Sequence, residues 1–144
     1  MAITTNAIAS SFKKELLEGK HDFTASTGSA FKLAMYNSNA VLGKSTTSYT
    51  TGSEVTSPAG YTAGGKALVN TGTSVSSSVA ITTFGNLSFT NVTLTARGAL
   101  IYNTSNANSA VAVLDFVSDK TATAGTFTIQ FPAYTTSAAI LRIS

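Results

Sequence analysis

Residues 126–131 read Thr126-Phe127-Thr128-Ile129-Gln130-Phe131, a strict alternation of polar and apolar side chains. Successive side chains of a β-strand point to opposite faces, so this pattern predicts a strand with one buried face. Pro132 follows directly, and proline fits a strand end because it lacks the N–H that pairing needs. The most regular segment of the chain is therefore predicted to be a strand.

The same period of two recurs in several segments between turns that contain Gly, Asn and Ser, whereas residues 99–102 and 110–117 are more continuously apolar, as strands buried on both faces would be. Further strands are predicted at 31–36, 66–69, 75–81, 87–94, 99–102, 110–117 and 138–143. The apolar residues change phase at Asn91, which indicates a bulge or a bend. Many short strands with such turns predict a mainly β fold, an antiparallel β-sandwich of jelly-roll type over residues 26–144.

One short helix is predicted near residues 11–18, within an N-terminal unit of residues 1–25. Ser10 or Ser11 can cap its start, and Gly19 is a natural stop. A helix of this length does not hold together alone in water. It is therefore expected to pack on another surface.

That surface is predicted to belong to a larger partner, which residues 1–23 would bind as an arm. The residues predicted for partner docking are the apolar stripe Phe12, Leu16 and Leu17, with Lys13 and Lys14 beside it. The charged side chains would set specificity at the rim of the contact. The alternative is that the helix closes one end of its own sandwich.

Charge is concentrated in one part of the chain. There are nine basic and six acidic side chains, and six of these lie within residues 13–22. The rest of the surface is predicted to carry hydroxyls, because the chain has 43 Ser and Thr residues. Depletion of charge is typical of the buried part of an interface. We therefore expect a module that packs against other proteins and associates with itself, as a trimer, through charge-poor strand faces.

Composition also argues against several classes of function. The chain has no Cys, so disulfides, thiolate nucleophiles and zinc–thiolate sites are excluded. No basic cluster exceeds Lys13–Lys14, so no nucleic-acid partner is expected. No apolar run approaches the roughly 20 residues of a membrane span. The N-terminus does not have the pattern of a signal peptide, which predicts assembly in the cytoplasm.

No catalytic, cofactor or metal site is expected either. His21 could act as a general base oriented by Asp22 or Asp115, but without any accompanying motif a solvated histidine at a helix end is the favoured interpretation. Asp115 is the one acid within an apolar strand. If it faces the core it needs a partner, for which Arg97 and Arg142 are candidates.

Residues 37–65 are poor in apolar side chains and rich in Ser, Thr and Gly. A loop of this length is usually a binding element or is ordered by a partner. Its Tyr49 and Tyr61 could stack on a sugar, or they could pack locally.

Six segments follow one another in a set order: Ser11–Gly19, His21–Phe23, Phe31–Tyr36, Gly60–Gly65, Thr95–Tyr102 and Ala110–Phe116. In this order they resemble a family of small β-rich virion proteins encoded by tailed bacteriophages. The resemblance implies a virion component without active-site residues. The expected role is that of a capsid decoration or cement protein, bound as a trimer to the major capsid protein or another virion protein.

Two other classes of function stay open. One is a tail, head–tail joining or fibre-attachment component, which copy number in the virion distinguishes from a decoration protein. The other is a carbohydrate-binding module on the loop of Tyr49 and Tyr61, which a glycan-binding screen would detect. An enzyme is the least expected class.

Overall fold

The computed structural model describes residues 3–56, 60–135 and 137–144. These residues fold into two antiparallel β-sheets and one short helix. The elements are β1 (Ala7–Ile8), α1 (Ser10–Leu17), β2 (Phe31–Tyr36), β3 (Lys66–Ala67), β4 (Asn70–Ser76), β5 (Val79–Phe84), β6 (Leu87–Asn103), β7 (Ser109–Ile129) and β8 (Leu141–Ile143). The larger sheet has the order β1-β7-β6-β2-β3, and the smaller sheet has the order β4-β5-β8. The predicted mainly β sandwich with a short N-terminal helix is confirmed, whereas these strand orders do not confirm the jelly-roll connectivity.

Aromatic rings join the two sheets. Phe31 on β2 of the larger sheet meets Phe84 on β5 of the smaller sheet, with ring centroids 5.5 Å apart. Phe23 stacks on Phe31 at 4.6 Å, and Phe131 meets Phe84 at 5.6 Å. T-shaped and stacked ring pairs of this kind contribute beyond the apolar area that they bury. The core therefore lies between the sheets.

The hairpin of β6 and β7 is longer than predicted. The separate strands expected at 87–94 and 99–102 are one strand, and those at 110–117 and 127–131 are another. Bulges explain the difference, because a bulge accommodates extra residues while pairing continues on both sides. The register shifts next to Asn91, which has a φ of 50°, as its phase change predicted. A second shift lies near Val117, which has a φ of 71°.

Three other strand predictions need correction. The strand expected at 75–81 is a hairpin, because Ser77 and Ser78 both have positive φ and form a two-residue turn between β4 and β5. An alternating pattern continues through a turn of two residues, so the sequence does not mark it. The strand at 66–69 is shortened to β3, and the strand at 138–143 is shortened to β8.

The N-terminal segment belongs to the same core as the sandwich. Ile3, Ala9 and Phe12 are buried together with the apolar residues of the sheets. Within the segment predicted as a docking arm, β1 pairs with β7 of its own chain. Gly98 lets the segment approach closely, since a Cβ there would lie 2.7 Å from Cδ1 of Ile3. The core thus includes residues from both predicted units, 1–25 and 26–144.

Candidate functional site

The five residues predicted for partner docking differ in exposure. Phe12 is buried, Leu16 is half-buried, and Lys13, Lys14 and Leu17 are exposed, with Leu17 at 91%. Phe12 packs on the rings of His21 and Phe23, with centroids 4.7 and 6.0 Å away. Phe12 is thus part of the chain's own core, as the alternative predicted, in which the helix closes one end of its own sandwich. Partner binding through the exposed side chains stays a prediction.

The start of α1 lacks the predicted side-chain cap. Ser10 and Ser11 are the first two residues of the helix, and the N-cap position is Ala9, which makes no side-chain hydrogen bond. A loop substitutes for the cap, because the N–H of Ser10 donates to the carbonyl oxygen of Lys44 at 2.7 Å. The prediction of a serine cap was therefore wrong, and tertiary packing supplies the missing acceptor.

The end of α1 is as predicted. Gly19 has a φ of 73°, the left-handed conformation that glycine adopts at low cost. Its N–H donates to the carbonyl oxygen of Leu16, and the N–H of Lys20 donates to that of Glu15 at 3.0 Å. This pair of bonds is a Schellman motif, which satisfies carbonyl groups at the helix end.

The three lysines around the end of α1 differ in whether they form an ion pair. Lys14 and Lys20 bind Glu18 at 2.7 and 2.9 Å, and these bonds lower the pKa of Glu18 to about 2. Among the ion pairs of the described residues, Lys13 takes part in none. Of the two lysines predicted for docking, Lys13 is thus the one without an acidic partner.

A buried hydrogen-bond network fastens α1 to the turn between β6 and β7. Nε2 of His21 lies 3.0 Å from Oε2 of Glu15, and Nδ1 of His21 lies 2.9 Å from Nδ2 of Asn103. Nδ2 of Asn106 donates to the same Glu15 oxygen at 2.8 Å. The His21 side chain has no solvent exposure. The predicted solvated histidine was therefore wrong.

The network determines which nitrogen of His21 carries the proton. Oδ1 of Asn103 accepts the N–H of Ser105, so Nδ2 of Asn103 donates to Nδ1 of His21. His21 is consequently neutral, with its proton on Nε2 and donated to Glu15. Burial lowers the pKa of His21, and the hydrogen bond to Glu15 opposes this shift. Both ring nitrogens of His21 are therefore engaged in hydrogen bonds, Nε2 with Glu15 and Nδ1 with Asn103.

We expect this network to make stability depend on pH below neutrality. The unfolded chain binds a proton on His21 at about pH 6.5, and the folded chain does so only at lower pH. The free energy of unfolding should therefore fall as pH drops below about 6.5, and this loss should end below the folded-state pKa. Because His21 is the single histidine, its NMR titration can be assigned directly.

A pKa of His21 at or above 6.5, or an imidazole protonated on Nδ1, would contradict this prediction. His21→Gln is the control, because it removes the titrating group. Its unfolding free energy should lack the loss between pH 7 and the folded-state pKa of His21.

A second polar cluster is formed by four residues of the 37–65 segment, namely Tyr49, Glu54, Tyr61 and Gly64. The carboxylate of Glu54 is buried and accepts three hydrogen bonds. Tyr49 donates to Oε2 at 2.6 Å, and Tyr61 and the N–H of Gly64 each donate to Oε1 at 2.7 Å. A buried carboxylate requires such donors to offset its desolvation. The loop is thus folded around one acidic side chain.

Both tyrosines predicted as a possible sugar platform are engaged in this cluster. Tyr61 is buried, and its hydroxyl also accepts the N–H of Met35 on β2. Tyr49 stacks on Tyr102 with ring centroids 4.7 Å apart. Burial and the neighbouring Glu54 raise the pKa values of Tyr49 and Tyr61. The two side chains pack locally, as the alternative interpretation predicted.

Sequence reasoning missed Glu54 as the centre of this cluster. The available signal was that Glu54 is the one acid between residues 37 and 65, with a tyrosine on each side. No spacing rule connects these residues, because residues 37–56 and 60–65, the described parts of the loop, contain no helix or strand that would give them a period.

Asp115 pairs with one of its two predicted cations. Its Oδ1 accepts a hydrogen bond from Nε of Arg97 at 3.2 Å, and it also accepts the N–H of Val117. The Asp115 side chain is 9% exposed. The pair lies at the β7 bulge, where it joins the two strands of the hairpin. It has a structural role there, and Asp115 makes no contact with His21.

A groove of about 760 Å³ separates α1 from the smaller sheet. Phe12, Lys13 and Leu16 line it from the helix, and β5 and β8 line it from the sheet. Three of the five predicted docking residues thus share one concave surface, which Leu17 and Lys14 do not line.

The described residues contain no group of three or more His, Asp or Glu side chains placed to hold a metal ion. Within the same ranges, no helix has the length and apolar character that crossing a bilayer requires. Comparisons of the chain with protein-family models, with curated proteins and with solved structures find no match.

Proposed function

We propose that this chain is a structural virion protein of a tailed bacteriophage, acting as a capsid decoration or cement protein. In this role it binds the major capsid protein, or another virion protein, on the head surface and stabilises the shell. The proposal includes association as a trimer and assembly in the host cytoplasm. It rests on the resemblance in segment order and on the character of the exposed surface.

The observation that carries the proposal is the scarcity of free charge on the sandwich. Residues 23–144 carry only nine charged side chains, and of these Glu54 is buried and Asp115 is paired with Arg97. Exposed apolar side chains are spread over this surface, namely Val41, Val69, Val75, Val117, Tyr134 and Ile143, and Leu17 adds another on α1. A surface of hydroxyls and isolated apolar groups costs little to desolvate on binding. This suits a protein whose task is to bind other proteins.

Binding to particles stripped of the native protein tests this proposal. Leu17→Glu should weaken binding by about tenfold or more, because a charge would enter a buried contact. Its melting temperature should stay unchanged, since Leu17 is 91% exposed in the free chain. Cosedimentation with the particles measures the binding.

Val41→Glu is the matched control, because Val41 is also strongly exposed, at 71%, but lies outside the predicted docking residues. It should bind like the unmodified protein. A cryo-EM map of the parent virion locates the chain independently. Density at the tail would replace the decoration role with that of a tail or joining component, and absence from the virion would refute the proposal altogether.

A further inference from the structure

We propose that the groove between α1 and the smaller sheet binds a small amphipathic anion, an aliphatic chain that ends in a carboxylate. This site goes beyond the virion role and does not depend on it. The inference rests on the size of the groove, on the apolar side chains that line it and on the charge of its lining residues.

The size and lining of the groove suit an aliphatic ligand. Its volume of about 760 Å³ lies within the range of roughly 300–1,000 Å³ that is typical of small-molecule sites. Aliphatic side chains contribute from both walls: Ile8, Leu16, Ile81, Ile140, Leu141 and Ile143. Flexible aliphatic groups of this kind fit a flexible chain better than a rigid polar ring.

Several polar side chains in the lining, those of Thr82, Thr24 and His21, already make hydrogen bonds within the chain. The Thr82 hydroxyl donates to the carbonyl oxygen of Gly72 at 2.8 Å. The Thr24 hydroxyl donates to Asp22 at 2.6 Å, and both ring nitrogens of His21 are hydrogen-bonded. These groups offer a ligand little beyond apolar contact. A ligand rich in hydroxyls would lose hydration there without compensation.

The charged residues of the lining favour an anionic end group. Lys13 and Arg142 face the groove, and Asp22 is its one acid among the described lining residues. The Asp22 carboxylate already accepts the N–H and the hydroxyl of Thr24. Within the ranges that the structure describes, Lys13 takes part in no ion pair, in contrast to the neighbouring Lys14. The carboxylate of a ligand bound near Lys13 would give this lysine an anionic partner.

Titration of the full chain with dodecanoate, below its micelle concentration, tests the site by calorimetry and NMR. We expect saturable binding of one molecule per chain, with chemical-shift changes at Leu16 and Ile143. Lys13→Gln should weaken binding by about two- to fivefold, the effect of a partly exposed charge pair. Leu16→Ala should weaken it by about tenfold through lost apolar contact.

The adjacent residues supply matched controls. Lys14→Gln and Leu17→Ala should bind dodecanoate like the unmodified protein, because neither side chain lines the groove. Ile143→Ala is a second groove variant in case Leu16→Ala does not fold, since Ile143 is 59% exposed. Circular dichroism confirms that each variant is folded.

Four results would overturn the inference. The first is an absence of saturable binding. The second is equal affinity for dodecyltrimethylammonium, which would show that the anion is not recognised. The third is an equal effect of the groove variants and their controls. The fourth is a dimer or trimer whose dissociation is required for binding, since a second copy would then be the true occupant of the groove.

Discussion

Glu54→Ala is expected to lower the free energy of unfolding by about 3–5 kcal/mol, because three donors would lose their common acceptor. The hydroxyls of Tyr49 and Tyr61 and the N–H of Gly64 all donate to this carboxylate. Each buried donor left unsatisfied costs roughly 1–3 kcal/mol, and water can reach the half-buried Tyr49. Denaturant unfolding monitored by circular dichroism measures the loss.

Glu54→Gln is the matched control. Its carbonyl oxygen can accept the bonds of Tyr61 and Gly64, and its amide can donate to the hydroxyl of Tyr49. The loss of stability should therefore be much smaller than for alanine. Similar losses for the two variants would show that the cluster does not depend on the acceptor. Hydrogen exchange of the loop amides should increase in Glu54→Ala before the sandwich unfolds.

Gly65→Ala is expected to destabilise the chain by about 3 kcal/mol or more, because strain and steric overlap act together. Gly65 has a φ of 78°, which side-chain-bearing residues rarely adopt. A Cβ at this position would lie 2.8 Å from Cα of Ala34 and would also overlap the carbonyl group of Leu33. These are backbone atoms of β2, so they cannot move without disturbing its pairing with β3.

Gly64→Ala separates the two contributions to this effect. Gly64 also has a positive φ, 92°, but a Cβ there would contact only the hydroxyl of Tyr102 at 3.5 Å and the end of the Lys32 side chain. It should cost about 1–2 kcal/mol from backbone strain alone. Equal losses for Gly64→Ala and Gly65→Ala in thermal unfolding would refute the close approach of Gly65 to β2.

Local pattern accounts for the parts of the fold that were predicted correctly. Phe31–Tyr36 is a strand with both ends as expected, and the phase change at Asn91 is a bulge. The errors in strand length arose because pairing with a neighbouring strand, which a local pattern does not show, decides where a strand ends. The segments expected at 87–94 and 99–102 are one strand because β7 continues beside them, and no property of residues 95–98 shows this in advance.

The candidate site was predicted less completely than the fold. The apolar stripe of α1 was identified, but its sequence could not show that Phe12 enters the core while Leu17 stays 91% exposed. Nor could it show that Lys13 lines the groove, although the i,i+4 spacing of Lys14 and Glu18 is a local pattern. These distinctions depend on how the helix is placed relative to the two sheets.

The sequence by itself determined the β class, the position of the one helix and its end at Gly19, because each depends on neighbouring side chains and on the local freedom of the backbone. Two features were decided by the tertiary structure alone. Tyr49 and Tyr61 both donate hydrogen bonds to Glu54, and His21 connects Glu15 of α1 to Asn103. Residue 103 lies 82 positions beyond His21. Contacts over such separations depend on strand pairing and sheet packing, which no local pattern contains.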